Sequence, residues 1–472
     1  MRSDPPPFTA VLTSSQKSEG ADVLAPVPSR IRTIWASSDK ADMVTRMRNA
    51  PLGQFYRNRL KQNVVVRTAA RWIWWNLFPL YVRFSVLMKK RYPLTTLSDY
   101  VKTGGVPTFK LVDGESVETI QPKVFPIAER AYVVAPRNRY RFPEIFVATI
   151  KNGIAMGGTN LVLVDGQVVC HDLLDFEHDS TAEELHGRAL ISPKSRRVRL
   201  VCRDKKPDSI PVAATFVDAC APNYAHWMTE VLPRVAVFCA EDRLKHVPLV
   251  VNDGLHPNIM ESLSLVAGAG REVITLPVGK SLAIDELFLT SVAGYVPFER
   301  RIRKGFDHSH GMFSPQALEL VRRRIATVIQ NTEMGSSPEK IFLRRNSGVR
   351  KITNAVEIEH LLVKRGYAIV EPETLTFSQQ VRYFAHAKVI VGPTGAGFAN
   401  AIFCEKGAHV AILISKCKDL AYKYWVNMLS PIGVNCSYVL GDIVENHEYG
   451  VHADFAINIS YLMEFLDDLE HN

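Results

Sequence analysis

The chain has 472 residues, enough for two or three domains, and 47% of them are apolar, the ordinary level for a protein with a large buried core. Its net charge of +9 is concentrated at one end: residues 1–95 hold 16 Lys and Arg against 5 Asp and Glu, a local +11 that leaves −2 for the rest. A near-neutral body excludes the basic stripe that a nucleic-acid-binding domain needs. Seven scattered cysteines without a C-x-x-C pair give no zinc signature and point to a reducing compartment.

Residues 1–56 read as a loosely ordered tail, broken by Pro5-Pro6-Pro7, Ser14-Ser15, Pro26 and Pro28, with no sustained apolar period. Residues 1–30 also lack the apolar run of a secretory signal, so none is expected. Residues 57–92 differ. Arg57, Arg59, Lys61, Arg67 and Arg71 precede the aromatic, apolar run 72–88, and Lys89-Lys90-Arg91 closes it. Asn76, Pro79 and Arg83 interrupt that run, and it falls short of the roughly 20 apolar residues that span a bilayer. Trp and Tyr suit the headgroup region and the flanking cations suit anionic lipid, which predicts a membrane-surface segment. The alternative is a helix packed on the main domain or on a partner protein.

Residues 93–310 form the next domain. Up to about 200 it reads as mostly β, with runs at 123–127, 131–134, 144–150 and 159–164, and a hairpin turn at 164–167. Asp172, Asp175, Glu177, His178 and Asp179 match no metal-binding loop and read as a solvated face. From about 210 strands and helices alternate: strands at 213–217, 247–251, 272–276 and 285–290, helices at 235–244 and 257–267. That series predicts a mostly parallel sheet. Residues 311–445 repeat it behind a basic helix at 315–332, with strands at 340–345, 367–371, 388–391 and 409–414 and helices at 356–364, 378–387 and 398–404. Residues 446–472 close the chain with a helix at 456–469. The expected architecture is α/β: a β-rich N-terminal part and two Rossmann-like domains facing a cleft.

The second series carries the clearest chemistry. Its strand at 388–391 runs into Gly392-Pro-Thr-Gly-Ala-Gly397, a turn that opens a helix. Backbone N–H groups and the helix dipole favour an anion there, and Gly395 and Gly397 let a phosphate approach the backbone. The spacing is neither the dinucleotide fingerprint nor a P-loop, which sets aside a nicotinamide oxidoreductase. A glycine-rich turn inside any doubly wound sheet is the plain alternative. Arg344-Arg345 ends the strand before, with Asn346, Arg350 and Lys351 close behind, and Glu371 ends another. Ligands of open α/β sheets bind beyond the carboxyl ends of the strands. Guanidinium groups there suit a diphosphate, and a carboxylate suits ribose hydroxyls; a surface Arg pair and a helix-capping Glu are the bland readings.

In the first series, Asn223-Tyr-Ala-His-Trp227 follows a strand. His226 suits a general base for an acceptor hydroxyl, a phosphate or sugar ligand, or a structural role. Trp227 suits stacking on a sugar or filling the core. Asn223-Tyr-Ala-His-Trp227, Glu230 and Leu232-Pro-Arg234 resemble the first signature of the family-61 glycosyltransferases. Phe342-Leu-Arg-Arg345, Arg350, Glu371, Phe377-Ser-Gln-Gln380 and Gly392-Pro-Thr-Gly-Ala-Gly-Phe-Ala-Asn400 resemble its second, in order and at similar spacing. The resemblance covers roughly 200–415. It implies a GT-B-like enzyme that moves a sugar from a nucleotide sugar to a hydroxyl of a glycan or lipid-linked acceptor, usually with inversion. Bacterial-type members resemble capsular and exopolysaccharide biosynthesis proteins, which implies a cytoplasmic site peripheral to the inner membrane.

On this resemblance His226 is the catalytic base, with Asn223, Trp227 and Glu230 around the acceptor. Arg344, Arg345, Arg350, Glu371, Thr394, Gly395, Ala396, Gly397 and Asn400 hold the donor. No D-x-D motif stands beside a strand, so neither a metal nor another cofactor is expected. Thr394 stands where the family usually has His, which points to a different donor contact or to a non-catalytic scaffold of the same fold.

Overall fold

The structure is a computed structural model and describes residues 31–33, 90–130, 139–201, 206–297, 299–300, 311–329, 337–346, 350–417, 422–444 and 453–471. The aromatic run 72–88 and the β run expected at 131–134 lie outside these residues. None of the described helices is long and apolar enough to cross a membrane.

The chain is a mixed α/β protein with two compact units. Among the described residues, the N-terminal unit takes those of 27–118 and 139–328, and the C-terminal unit those of 119–138 and 329–472. These units cut across the sequence-derived boundaries. The strand Lys123–Phe125 was expected within 93–310, but it pairs in parallel with Asn435–Ile443 of the C-terminal unit. Ile31–Thr33, inside the expected loose tail, pairs in parallel with Val273–Leu276. A run of three residues is too short to show a period.

The N-terminal unit is built on a twelve-stranded sheet. Its parallel part runs Ile31–Thr33, Val273–Leu276, Leu249–Asn252, Asp208–Thr215 and Ser281–Thr290. Leu249–Asn252 and Val273–Leu276 are buried at every position, as a strand covered on both faces requires. The strand order reverses between Asp208–Thr215 and Ser281–Thr290. Beyond that point the sheet continues antiparallel through Ile145–Met156 into the β-rich part. The expected hairpin forms there: Val162–Val164 and Gln167–Cys170 flank Asp165 and Gly166, both at positive φ, as a two-residue turn of this hand demands. The acidic group after it is not wholly solvated. Asp179 is 2% exposed and accepts a bond from the Tyr295 hydroxyl at 3.3 Å.

The seven-stranded sheet of the C-terminal unit includes the parallel series Ala368–Val370, Lys340–Leu343, Val389–Pro393, His409–Ser415 and Asn435–Ile443, in that order. Numbered along the chain this is 2-1-3-4-5, a doubly wound order whose reversal falls between Lys340–Leu343 and Val389–Pro393. Ala355–Lys364 and Phe377–His386 are its first crossover helices, the second opened by a capping box from Thr376 and Gln379. The last strand and the helix Lys423–Leu429 were not anticipated. The terminal helix is Ile459–Glu470, and Leu462, Phe465 and Leu466 bury its apolar stripe.

Candidate functional site

The reversal of strand order in the C-terminal unit brings together the residues that follow its two flanking strands. Arg344 and Arg345 follow the first; Thr394 and Gly395 follow the second. Arg345 Nη1 donates to Thr394 O at 3.0 Å, and its guanidinium lies so close over Gly395 that a Cβ there would sit 1.9 Å from Nη1. Gly395 has an extended backbone, φ 173°, so this approach, not a special dihedral, is what calls for glycine. Gly397 differs: a Cβ there meets only ordinary contacts with Pro372, so the fold itself does not demand glycine. Ala396–Phe403 forms the expected short helix, as a 3-10 helix, and no side chain caps its N-terminus at Gly395.

Arg350 stands beside Arg345. Burial first, then the charge of Arg345, lowers its guanidinium to about 10. Its Nε is buried without a hydrogen-bond partner among the described residues, and its φ is +59°. A half-buried cation beside another cation, on a backbone at positive φ, costs free energy.

The other residues expected to hold the donor are committed elsewhere. Arg344 is consumed by carboxylates, with Nε to Glu359 at 2.8 Å and Nη1 to Glu371 at 2.6 Å. Glu371 also accepts from Asn346 at 3.1 Å. The two residues expected on a diphosphate and a ribose therefore neutralise each other. Asn400 is fully buried and donates to Gln380 at 2.6 Å, while Gln380 donates to Pro372 O and Leu375 O. It ties the short helix to its neighbours instead of facing a ligand. The Thr394 side chain is buried too, its hydroxyl accepting from the Trp425 indole at 3.3 Å.

In the N-terminal unit the reversal of strand order marks a polar cavity of about 40 Å³, room for a few waters or a hydroxyl-bearing fragment. Asp218 and Cys220 follow one flanking strand and Val292–Val296 the other; Glu230 and Arg234 come from the helix, and Asn160, His171 and Glu183 from the β-rich part. Asn223 is an exposed N-cap that accepts from Ala225 N at 3.1 Å, and starts the helical run bearing His226. The run then widens into a π-helix, Trp227–Val231, a departure that often marks functional positions. Glu230 sits in it. One carboxylate oxygen accepts from Val296 N at 3.1 Å and the other bonds His226 Nδ1. Gly294 makes this possible, since a Cβ there would lie 2.1 Å from Thr229 O. Trp227 is not available to a sugar. It is fully buried, with its indole donating to Ser262 at 2.8 Å, and it fills the core.

The electrostatics follow from burial and three neighbouring carboxylates. Burial pulls the His226 imidazole down, but the charge and hydrogen bond of Glu230, then Asp218, carry it above its ordinary value. Burial, then Asp218, raises Glu183 to about 7. Burial lowers His171 to about 4, and its Nδ1 has no partner among the described residues. Arg234 balances the cluster with a 3.4 Å contact to Asp218. His171, Glu183 and Asn160 carried no signal in the sequence, because they lie outside both motifs and reach the cavity only through the β-rich fold. Asp218 did have one, as an acid just past a buried strand. No group of three or more His, Cys, Asp or Glu suited to a metal occurs among the described residues.

None of the curated proteins compared matches the chain. A family model described as Glycosyltransferase 61 matches residues 224–411, a stretch that starts at the His226 helix and ends within the strand after the glycine turn. The resemblance read from the two motifs is thereby borne out: residues 224–411 are similar to glycosyltransferase family 61.

Proposed function

We propose that the protein is an inverting, metal-independent glycosyltransferase of the two-lobed GT-B kind. It transfers a sugar from a nucleoside diphosphate sugar to a hydroxyl of a glycan or lipid-linked acceptor in the building of surface polysaccharide. The observation that carries the donor side is the Arg345–Arg350 pair at the strand-order reversal beside Gly395. Two guanidinium groups that disfavour each other gain most from a ligand with two negative charges, and a leaving diphosphate is one. Ala396 and Gly397 add backbone N–H groups at an uncapped helix end.

On the acceptor side His226, oriented by Glu230, takes the proton of the acceptor hydroxyl. The acceptor oxygen bonds to the anomeric carbon as the bond from that carbon to the diphosphate oxygen breaks. The electron pair leaves with the nucleoside diphosphate, where Arg345 and Arg350 meet the charge. Thr394 favours a second reading, a non-catalytic scaffold, because its hydroxyl is turned to Trp425 where the family usually offers His. Calorimetric titration with a panel of nucleoside diphosphates tests the donor site. Wild type is expected to bind at least one, and Arg350→Ala to weaken it at least roughly tenfold, the loss of a charge-assisted contact. Unchanged affinity in the variant sinks the assignment.

A further inference from the structure

We infer that a basic sheet face at the end of the N-terminal unit docks on an anionic lipid surface. The sheet ends in three antiparallel strands, Arg91–Thr96, Arg197–Leu200 and the edge strand Ala189–Ser192. Alternation sends Tyr92, Leu94, Ala189, Ile191, Val198 and Leu200 into the core. The opposite face therefore carries Arg91, Arg197 and Arg199. Arg91 and Arg197 are exposed, and Arg91 sits directly opposite Arg199 in the register. The turn between the last two strands adds Lys194 and Arg196, and Lys90 precedes the first.

The three strands contain no acidic residue, and among the described residues none of these six cations is ion-paired with a carboxylate. Like charges placed directly opposite on a sheet are destabilising, so stability does not explain this face. A negative surface does. The occupant is identified by two facts: the three strands carry charge of one sign only, and in sequence residues 57–89, rich in Trp, Tyr, Lys and Arg, lead straight into Lys90 and Arg91. A sequence that joins Trp and Tyr to Lys and Arg suits a lipid headgroup region better than a soluble polyanion.

Co-sedimentation of the full chain with phosphatidylcholine vesicles, with and without phosphatidylglycerol, at low and high salt, is the test. Wild type is expected to bind the anionic vesicles, and salt to weaken that binding. Each surface cation near an anionic leaflet contributes about fivefold, so Arg91→Glu with Arg197→Glu should lower the affinity by roughly 25-fold or more. Both side chains are exposed, so the thermal midpoint should stay put; Arg91→Gln with Arg197→Gln replaces this pair if it does not. Lys364→Glu with Lys406→Glu, the same change of net charge at residues outside the three strands, should stay within roughly threefold of wild type if the sheet face and not net charge is what binds. Equal binding to neutral vesicles overturns the inference. So do an equal loss in the control pair, no loss in the Arg91 and Arg197 variant, and binding to nucleic acid without binding to vesicles. Nucleoside diphosphate binding is read separately, so this result stands apart from the proposed transferase activity.

Discussion

Replacing Gly395 by Ala separates what the glycine turn does for folding from what it does for a ligand. The new Cβ would lie 1.9 Å from Arg345 Nη1, while the nearest backbone atom among its closest neighbours, Pro393 O, is 3.8 Å away. The obstacle is the far end of a flexible side chain, so the guanidinium swings aside and gives up its 3.0 Å bond to Thr394 O. A partly exposed charged group re-solvates, so stability falls by only about 1 kcal/mol, a midpoint shift of about 2–4 °C. Ligand binding loses more. A displaced guanidinium forfeits a charge-assisted phosphate contact of about 1.5–3 kcal/mol, roughly 10- to 150-fold in affinity. Gly294→Ala is the counter-case. There the Cβ meets the Thr229 carbonyl at 2.1 Å, which is backbone within a helix, so the chain must shift and stability falls by about 1–3 kcal/mol or more. Thermal melts and calorimetry with the nucleoside diphosphate bound by wild type read both variants. The reasoning fails if Gly395→Ala melts as low as Gly294→Ala, or binds the nucleotide as wild type does.

Three further outcomes are expected. Glu230→Gln removes the charge that raises His226. A base must be deprotonated, so the acid limb of kcat/KM, above the ordinary 6.5 in wild type, moves to lower pH, with the plateau down by roughly 10²-fold; a pH–rate profile checks both. Arg344→Ala breaks a network with Glu359 and Glu371 and leaves two carboxylates close together, so the midpoint should fall while nucleotide affinity stays within roughly threefold; a large loss of affinity would restore Arg344 to the donor site. Glu183 is raised from 4.5 to about 7, so the folded state holds its proton more tightly than the unfolded chain does. Its contribution to stability is fully present below pH 4.5 and is lost as pH rises to 7, on the order of 3 kcal/mol. Glu183→Gln should therefore raise the midpoint at pH 8 and change it little at pH 4; melts across pH decide.

The βαβ series was legible because buried parallel strands are short apolar runs bounded by turns. Pro257–Ala267 forms at the expected residues, and the strand at 389 runs into its glycine turn as the spacing implied. The strand Lys123–Phe125 shows what pattern cannot supply: a short apolar run declares a strand but not which sheet it joins, and its partner lies over 300 residues away. The site followed the same division. Gly395 and Arg345 stand at a strand-order reversal, a place fixed by topology that local sequence marks well. Arg344, Glu371, Asn400 and Trp227 have the right chemistry for ligands, but their hydrogen-bond partners are within the protein, and residue type alone does not reveal who satisfies whom. Glu183 and His171 were invisible for the opposite reason, since ordinary residues in a β-rich stretch gain their meaning from the cavity they line.

The most direct measurement is release of nucleoside diphosphate from a panel of nucleotide sugars by the full chain, with and without hydroxyl acceptors. Release from at least one donor is expected, stimulated by acceptor and cut by roughly 10²-fold or more in His226→Ala. No release from any donor, or release that His226→Ala leaves unchanged, contradicts a transferase that works through His226.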